Sequence, residues 1–172
     1  MGGGSAALAN QPQLAVGRGK RAHHDVVDNC IVPTGVAYAE LLHEIRRTIA
    51  VCRAIARLSS HAEALANALG AADVTTEMLL QTMSGDTALA LANASTYLKM
   101  LGHIVVAWIW LDLARATLSK GETATAGDEN FYEGKVLACA WFFRWELPRI
   151  ALHAQLLKSL DRSCLDIRVE HL

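Results

Sequence analysis

The chain has 172 residues, of which 52% are hydrophobic and 19% are charged, and its formal net charge is −1. A net charge this close to zero gives no electrostatic reason to expect nucleic acid or an anionic membrane as a partner, and the length favours one domain over two. The positive mean hydropathy, +0.22, indicates that some apolar surface meets a partner.

The first 33 residues differ from the rest of the chain. They are rich in glycine, carry a small basic cluster at Arg18, Lys20 and Arg21, and have no lasting helical or strand periodicity. Asp25 and Asp28 follow the basic cluster, so a nucleic-acid-binding arm is the less favoured interpretation. We predict a flexible leader over residues 1–33 and a helical domain over residues 34–172.

A first helix is predicted from Thr34 to about Leu69, because apolar residues recur there at spacings of three and four. The stripe comprises Tyr38, Leu41, Leu42, Ile45, Ile49, Cys52 and Ala56. Gly70 is a plausible C-terminal stop. Ser60 and Glu63 match a capping box that would divide this helix in two, and the pattern leaves open whether the division occurs.

A short helix is predicted from Asp73 to Met83, and Asp86 is a good N-cap for a third helix over residues 87–119. The third helix has two apolar faces. One consists of Leu91, Ala94, Leu98, Leu101, Val105 and Trp108. The other consists of Ala90, Tyr97, Ile104, Leu111 and Leu118. We expect the Trp108 face to lie in the core and the Ile104 face to meet another subunit or domain.

A polar loop at residues 120–127 leads to the last predicted helix, which Asp128 caps and which runs to about Asp161. Pro148 lies inside it and should kink it near Arg144, because proline removes a backbone hydrogen bond. Strand-like alternation is missing from the whole sequence. The patterns therefore predict an all-α fold, an antiparallel up-and-down bundle of the four-helix type.

Three features could suggest chemistry, and each has a plainer interpretation. Glu40 and His43 have the Glu-x-x-His spacing of di-iron bundles, but the sequence lacks the second copy that such a site needs. His103 lies in an apolar segment and is expected to hydrogen-bond to a backbone or facing side chain. Aromatic residues at helical spacing are expected in the core rather than around a flavin or a base: Trp108, Trp110, Trp141, Phe142, Phe143 and Trp145.

The cysteines and the most apolar run of the sequence indicate the cellular compartment of the protein. Cys30, Cys52, Cys139 and Cys164 are widely spaced, which favours reduced thiols in a cytosolic protein over a disulfide or metal framework. The run at residues 101–111 is shorter than the roughly 20 residues of a membrane span. We predict a cytoplasmic protein without a membrane span.

Two stretches are more specific than a generic helical bundle. The first is ALANASTYLKMLGHIVVAW, residues 90–108, and the second begins FYEGK at residue 131 and ends LPR at residue 149. Both resemble the C-terminal helical domain of one group of acyl-CoA dehydrogenases, the phenylacyl-CoA and methylmercaptopropionyl-CoA dehydrogenase-like enzymes. The matching positions, which are expected to be structural, are Asn93, Tyr97, Gly102, His103, Trp108, Phe131, Tyr132, Lys135, Phe143 and Pro148.

The resemblance implies a parent flavoenzyme that oxidises an acyl-CoA thioester to the 2,3-enoyl-CoA, with FAD as the hydride acceptor. It also implies that the catalytic glutamate belongs to a Tyr-Glu-Gly-Thr loop upstream of this domain. The sequence at Tyr132, Glu133 and Gly134 copies three of those letters but continues with Lys135 at a predicted helix start. Glu133 is therefore predicted to be a structural charge beside a helix N-terminus.

The predicted function is that of a non-catalytic packing domain that binds no cofactor itself. Its expected partner is either a second copy of the chain or a flavin-bearing domain. The alternative is a stand-alone helical interaction module that has lost the enzyme domains. A stand-alone enzyme or metal-binding bundle is a third hypothesis.

Overall fold

The computed structural model of the chain describes residues 36–121 and 127–171. Within these ranges the chain is helical and contains no strand, which confirms the all-α prediction. The helices are α1 (Val36–Arg53), α2 (Ser59–Gly85), α3 (Thr87–Leu91), α4 (Ala94–Gly121), α5 (Glu129–Trp145), α6 (Arg149–Lys158) and α7 (Ser163–Asp166), followed by a 3-10 turn at Val169–His171. The predicted leader at residues 1–33 lies outside the described residues.

A turn at residues 54–58 separates α1 from α2, so the division that the sequence left open is present. The predicted capping box is wrong, because Leu58 occupies the N-cap position of α2 without a side-chain hydrogen bond. Glu63 instead accepts a hydrogen bond from Nε of Arg53 at 2.8 Å, which ties the two helices across the turn. The apolar stripe of α1 ends at Cys52, since Ala56 is exposed in the turn.

α2 continues through Gly70, where a stop was predicted, and through Asp73, where a new helix was predicted to begin. A glycine costs a helix only about 1 kcal/mol relative to alanine. Leu69 and Ala72 are buried on either side of that position, and their packing outweighs this cost. Asp73 is a mid-helix residue that accepts a hydrogen bond from Arg46 of α1 at 3.0 Å. Both predictions are wrong because tertiary burial overrides the local signal.

The predicted third helix is interrupted once. Asp86 is the N-cap of α3, as predicted, and its Oδ1 accepts a hydrogen bond from the backbone N–H of Leu89 at 2.9 Å. The chain then turns at residues 92–93 before α4 begins. Asn93 lies in this turn, and its side-chain amide donates to the backbone oxygen of Asp161 at 3.0 Å. This tertiary bond explains the break, because asparagine readily exchanges helical geometry for a side-chain contact.

α4 faces the core with the side that the sequence assigned to a partner. The deeply buried side chains on α4, each at most 1% exposed, are Tyr97, Met100, Ile104, Ala107, Leu111 and Ala114. The opposite side of α4 points outward, and Leu98 is 49% exposed. The prediction that the Ile104 face meets a partner is therefore wrong, whereas Leu91, Ala94, Leu101 and Trp108 of the other predicted face do pack, partly buried, against the core. The Ile104 side carries the small residues Ala107 and Ala114, which allow neighbouring helices to approach closely.

The predicted last helix is two helices rather than one bent helix. α5 ends at Trp145 and α6 begins at Arg149, so the chain breaks at residues 146–148 instead of kinking near Arg144. Pro148 stands immediately before α6, where its missing N–H removes no helical hydrogen bond. Asp128 precedes α5 as predicted, but its side chain makes no capping hydrogen bond to that helix.

The helices surround a single core, to which buried residues of α1, α2, α4, α5 and α6 contribute. α4 packs against α1, α2, α5 and α6, and α2 packs against α1, α3 and α6. This set of contacts places α4 between all the other long helices. The up-and-down order of a four-helix bundle stays a prediction.

α4 extends well beyond the apolar run at residues 101–111, whose short length predicted that the chain has no membrane span. Its segment Ala94–Lys120 has the length and hydropathy of a span. Of the most apolar 18-residue stretch of this segment, 33% is buried within the fold. A core helix of a folded domain meets the same criterion, so this helix is weak evidence for a membrane.

Replacing Ile104 tests which face of α4 lies in the core. Because this side chain is 1% exposed, we expect Ile104→Ala to lower the free energy of unfolding by about 2–5 kcal/mol, measured by urea denaturation followed with circular dichroism. Val74→Ala is the control, since that side chain is 56% exposed on α2, and it should change stability by no more than about 0.5 kcal/mol. Equally small effects would place the Ile104 face outside the core.

Candidate functional site

Tyr97, one of the motif residues, joins α4 to α2 by a buried hydrogen bond. Its hydroxyl lies 2.8 Å from Oγ1 of Thr76. Thr76 donates its own proton to the backbone oxygen of Ala72 at 2.8 Å, so the Tyr97 phenol is the donor to Thr76. The nearby Tyr38 phenol stays protonated, because burial raises its pKa well above the usual range.

Trp108, a second motif residue, joins α4 to α1 in the same way. Its indole Nε1 donates to Oγ1 of Thr48 at 2.8 Å, and Thr48 donates to the backbone oxygen of Glu44 at 3.0 Å. Each threonine hydroxyl thus donates once within its own helix and accepts once from an aromatic side chain of α4. Sequence reasoning missed both threonines, although a threonine within an apolar helical stripe is a usable signal.

Phe143 joins α5 to α2 through a ring contact. It is 7% exposed, and the His61 ring meets it nearly perpendicularly with centroids 4.8 Å apart. Nδ1 of His61 is buried and has no hydrogen-bond partner among the described residues. Burial therefore lowers the pKa of His61, because the protonated form would lose its hydration.

His103 is hydrogen-bonded, as predicted, and lies where α4 meets α5 and α6. Its Nδ1 is 2.8 Å from the backbone oxygen of Lys99, and its Nε2 is 3.5 Å from a carboxylate oxygen of Glu146. The other carboxylate oxygen of Glu146 forms an ion pair with Nη2 of Arg149 at 3.3 Å. The ring of His153 lies 5.4 Å from that of His103. Burial lowers the pKa of His153, and the positive charges of His103, Lys99 and Arg149 lower it further.

The motif residues at the start of α5 lie near the surface. Phe131 is 62% exposed, contacts the Tyr132 ring with centroids 5.7 Å apart, and has the Lys135 ammonium 4.9 Å above its ring. Glu133 lies on the helix itself, and both of its carboxylate oxygens accept from Nη2 of Arg57, at 2.9 and 3.0 Å. Glu133 thus joins α5 to the α1–α2 turn.

Two tryptophans expected in the core are on the surface instead. Trp141 is 54% exposed and Trp145 is 62% exposed. They belong to a set of large apolar side chains, each 39–62% exposed, that we call the outer apolar surface. Its members are Leu98, Val106, Ile109 and Leu113 of α4, Leu137, Trp141 and Trp145 of α5, and Leu152 and Leu156 of α6.

The members of the outer apolar surface lie along one face of each helix. They recur at spacings of eight, three and four residues on α4 and of four residues on α5 and on α6, which places them on one side of each helix. α4 packs directly against both α5 and α6. Exposed apolar side chains therefore occur on all three of these adjoining helices. Gly102 also lies on this side of α4 and is exposed.

Two clefts among the described residues bear on cofactor binding. A cleft of about 260 Å³ lies between α2 and the α5–α6 break, where Pro148 contributes to its wall and Asn67 is the one polar lining residue. A cleft of about 500 Å³ lies beside the start of α5 and includes Arg57, Glu129 and Glu133.

Neither cleft fits FAD. A dinucleotide pyrophosphate needs several backbone or cationic donors, and the smaller cleft is lined mostly by alanine and other apolar residues. In the larger cleft Arg57 is already bound by Glu133, and the carboxylates of Glu129 and Glu133 would repel a phosphate. Among residues 36–121 and 127–171, no group of three or more His, Cys, Asp or Glu could hold a metal ion, and Glu40 and His43 are exposed on α1.

Comparison with known proteins gives two findings. The family described as "Acetyl-CoA dehydrogenase C-terminal like" matches residues 41–168. A curated relative, the broad-specificity linear acyl-CoA dehydrogenase FadE5 of Mycobacterium tuberculosis, is 25% identical over 140 residues. The aligned part is 77% of this chain but only 23% of that relative, so the chain spans less than a quarter of its length.

Removing the Glu133 charge tests whether this carboxylate is a surface ion-pair member. Both side chains of the pair are about half exposed, at 54% for Arg57 and 51% for Glu133. We therefore expect Glu133→Gln to lower the free energy of unfolding by less than about 1 kcal/mol, by chemical denaturation. Arg57→Gln and the double variant complete the double-mutant cycle. The free energy of unfolding of the double variant should lie no more than about 1 kcal/mol below that of either single variant. A loss of several kcal/mol would contradict this role.

The buried histidines predict the direction of pH dependence. Because the pKa values of folded His61 and His153 lie below the ordinary value of 6.5, the unfolded chain binds more protons than the folded chain as the pH falls. Stability should therefore be greatest above pH 6.5 and decline as the pH falls below it. Thermal unfolding should show this decline, and a double His61→Gln, His153→Gln variant should reduce it. The exposed His43→Gln control should behave as the wild type, and stability rising below pH 6.5 would refute the assignment.

Proposed function

The chain belongs to the acetyl-CoA dehydrogenase C-terminal-like family, and on this premise we propose that it is the non-catalytic packing domain of an acyl-CoA dehydrogenase-like flavoprotein. The parent reaction in this proposal is the FAD-dependent oxidation of an acyl-CoA to its 2,3-enoyl-CoA. The flavin and the catalytic base belong to a partner domain, and this chain contributes an association surface.

The outer apolar surface is the observation that carries the proposal. Ile109, Trp141 and Trp145 are each more than half exposed, although the same helices bury their other sides in the core. Burying apolar area contributes roughly 25 cal/mol for each Å² removed from water. Covering these side chains with a partner therefore supplies a strong driving force for association.

The environment of Glu133 supports a non-catalytic role. A general base needs a carboxylate within hydrogen-bond reach of the proton it abstracts. Both oxygens of Glu133 are instead within 3.0 Å of one nitrogen of Arg57. This pairing serves to fix α5 against the α1–α2 turn.

The second candidate is a stand-alone interaction module that buries the same surface against a second copy. The two candidate functions differ in whether a flavin domain accompanies this chain. A gene for a flavin domain that is adjacent to this one or fused to it would favour the packing-domain function. A cytoplasmic location belongs to the proposal, and the free thiols of Cys52, Cys139 and Cys164 are compatible with a reducing compartment.

Flavin loading tests the non-catalytic part of the proposal. We expect the chain, purified or refolded with excess FAD and then desalted, to retain no visible flavin absorbance and to oxidise no acyl-CoA. The physical reason is that the two clefts described above lack free donors for the pyrophosphate. Stoichiometric flavin in the desalted chain would overturn the proposal.

Binding of the fluorescent dye ANS tests the outer apolar surface. The wild-type chain should bind ANS in its folded state, and a double Trp141→Ser, Trp145→Ser variant should lose most of the signal while circular dichroism stays native. The matched control is a double Val51→Ser, Val74→Ser variant, because these two side chains are exposed elsewhere, at 50% and 56%. A folded wild type without dye binding would refute the association surface.

A further inference from the structure

The surroundings of the His103 ring require more protons than a neutral imidazole carries. Nδ1 of His103 lies 2.8 Å from the backbone oxygen of Lys99, and a carbonyl oxygen can only accept a hydrogen bond. Nε2 of the same ring faces a carboxylate oxygen of Glu146 at 3.5 Å, and an ionised carboxylate also can only accept. Two acceptors on opposite sides of one ring therefore need an N–H at both ring nitrogens.

Neither neutral tautomer of His103 fits this site. With the proton on Nδ1, the lone pair of Nε2 faces the carboxylate of Glu146. With the proton on Nε2, the lone pair of Nδ1 faces the carbonyl oxygen of Lys99 at 2.8 Å. The imidazolium form presents an N–H in both directions and adds the attraction of opposite charges, on side chains of His103 and Glu146 that are each 21% exposed. The geometry therefore matches the protonated ring.

The neighbouring histidine has the opposite requirement. The ring of His153 on α6 lies 5.4 Å from that of His103, and its Nδ1 is buried without a hydrogen-bond partner among the described residues. Burial lowers the pKa of His153, and the positive charges of His103, Lys99 and Arg149 lower it further. The two rings together therefore carry one positive charge, which lies on the ring with two acceptors.

The charged groups around His103 are Lys99 on α4 itself, Glu146 at the α5–α6 break and Arg149 on α6. Arg149 forms an ion pair with the other oxygen of Glu146 at 3.3 Å, so it competes with His103 for the same negative charge. α5 faces the His103 ring with the uncharged ring of Phe142, with centroids 6.4 Å apart. The ion pairs of α1, α2 and the turn between them are formed with one another or with the start of α5. Glu146 is therefore the anion on which the charged form of His103 depends.

Glu146 belongs to the break between α5 and α6. Leu147 and Pro148 follow it directly and form part of the wall of the apolar cleft of about 260 Å³. The backbone of the break is held by local hydrogen bonds, from the N–H of Leu147 to the oxygen of Phe142 at 3.0 Å and from the N–H of Ile150 to the oxygen of Leu147 at 3.1 Å. The contact of Glu146 with α4 therefore restrains a segment that belongs to neither long helix.

We propose that His103 and Glu146 form a proton-dependent clasp, which holds the α5–α6 break against α4 while His103 is protonated. When the pH rises, the ring gives its proton to solvent, a lone pair comes to face the carboxylate, and the break is released together with the cleft wall that it carries. Histidine changes its charge between about pH 5 and about pH 8, so the clasp responds in that range. The inference goes beyond the proposed function and does not depend on it.

Amide hydrogen exchange tests whether the clasp restrains the break. After correction for the intrinsic effect of pH, the N–H groups of Leu147 and Ile150 should exchange about two- to fivefold faster at the upper end of that pH range than at the lower end, the effect that a partly exposed ion pair supplies. Global stability is expected to decline in the opposite direction, as the pH falls, so a general loosening of the fold would not produce this result.

Two variants and a control assign the effect to the clasp. Glu146→Gln should remove the pH dependence of exchange at the break, because its side chain has no charge to attract the imidazolium. His103→Gln should exchange at the faster rate at every pH. Arg149→Gln is the matched control, because it removes the other partner of Glu146 and should keep the pH dependence. Circular dichroism verifies that each variant is folded, and the wild-type measurements decide the matter if a variant is not.

Nitrogen-15 NMR of the histidine side chains tests the protonation state directly, because an imidazolium has two protonated ring nitrogens and a neutral imidazole has one. As the pH is raised, His103 of the wild type should keep both nitrogens protonated to a higher pH than His103 of Glu146→Gln. His153 should show one protonated nitrogen while His103 shows two. Three results would each overturn the inference: a His103 titration that Glu146→Gln leaves unchanged, a doubly protonated His153 beside a neutral His103, or exchange at the break that does not quicken as the pH rises.

Discussion

The rest of the structure depends on α4, a helix with apolar residues on nearly every side and no continuous polar face. A helix of this composition has to bury as much of its circumference as its neighbours can cover. α1, α2, α5 and α6 all pack against it, yet four helices of this length leave one side uncovered. That uncovered side, which includes Leu98 and Ile109, becomes part of the outer apolar surface.

Directional contacts determine how the neighbours are placed around α4. Hydrophobic burial is not directional, so it allows a helix to slide or rotate against another. The hydrogen bonds from Tyr97 to Thr76 and from Trp108 to Thr48 have one geometry each. Breaking either would leave a buried polar group without a partner, which costs more than an intact bond gains. The motif residues therefore specify the packing that exposes the outer apolar surface.

The same architecture separates the core from the outer apolar surface. The core needs the Ile104 side of α4, whereas the outer side contributes exposed apolar area that the isolated chain does not use. Gly102 shows this separation most clearly, because the fold would accept a larger residue there. A family motif can thus contain both positions that hold the domain together, such as Tyr97, and positions that the packing of the domain leaves open.

The sequence by itself determined the helical class, the Asp86 cap and the resemblance to the family, because these rest on local periodicity, capping chemistry and motif spacing. It could not determine which side of α4 faces inward, since two apolar faces give the same periodic signal. Only the tertiary structure decided that Ile104 is buried and Trp145 exposed, that α2 passes through Gly70, and that the chain breaks before Pro148. Each of these depends on which neighbours cover a side chain, and that burial arises from contacts between residues far apart in the chain.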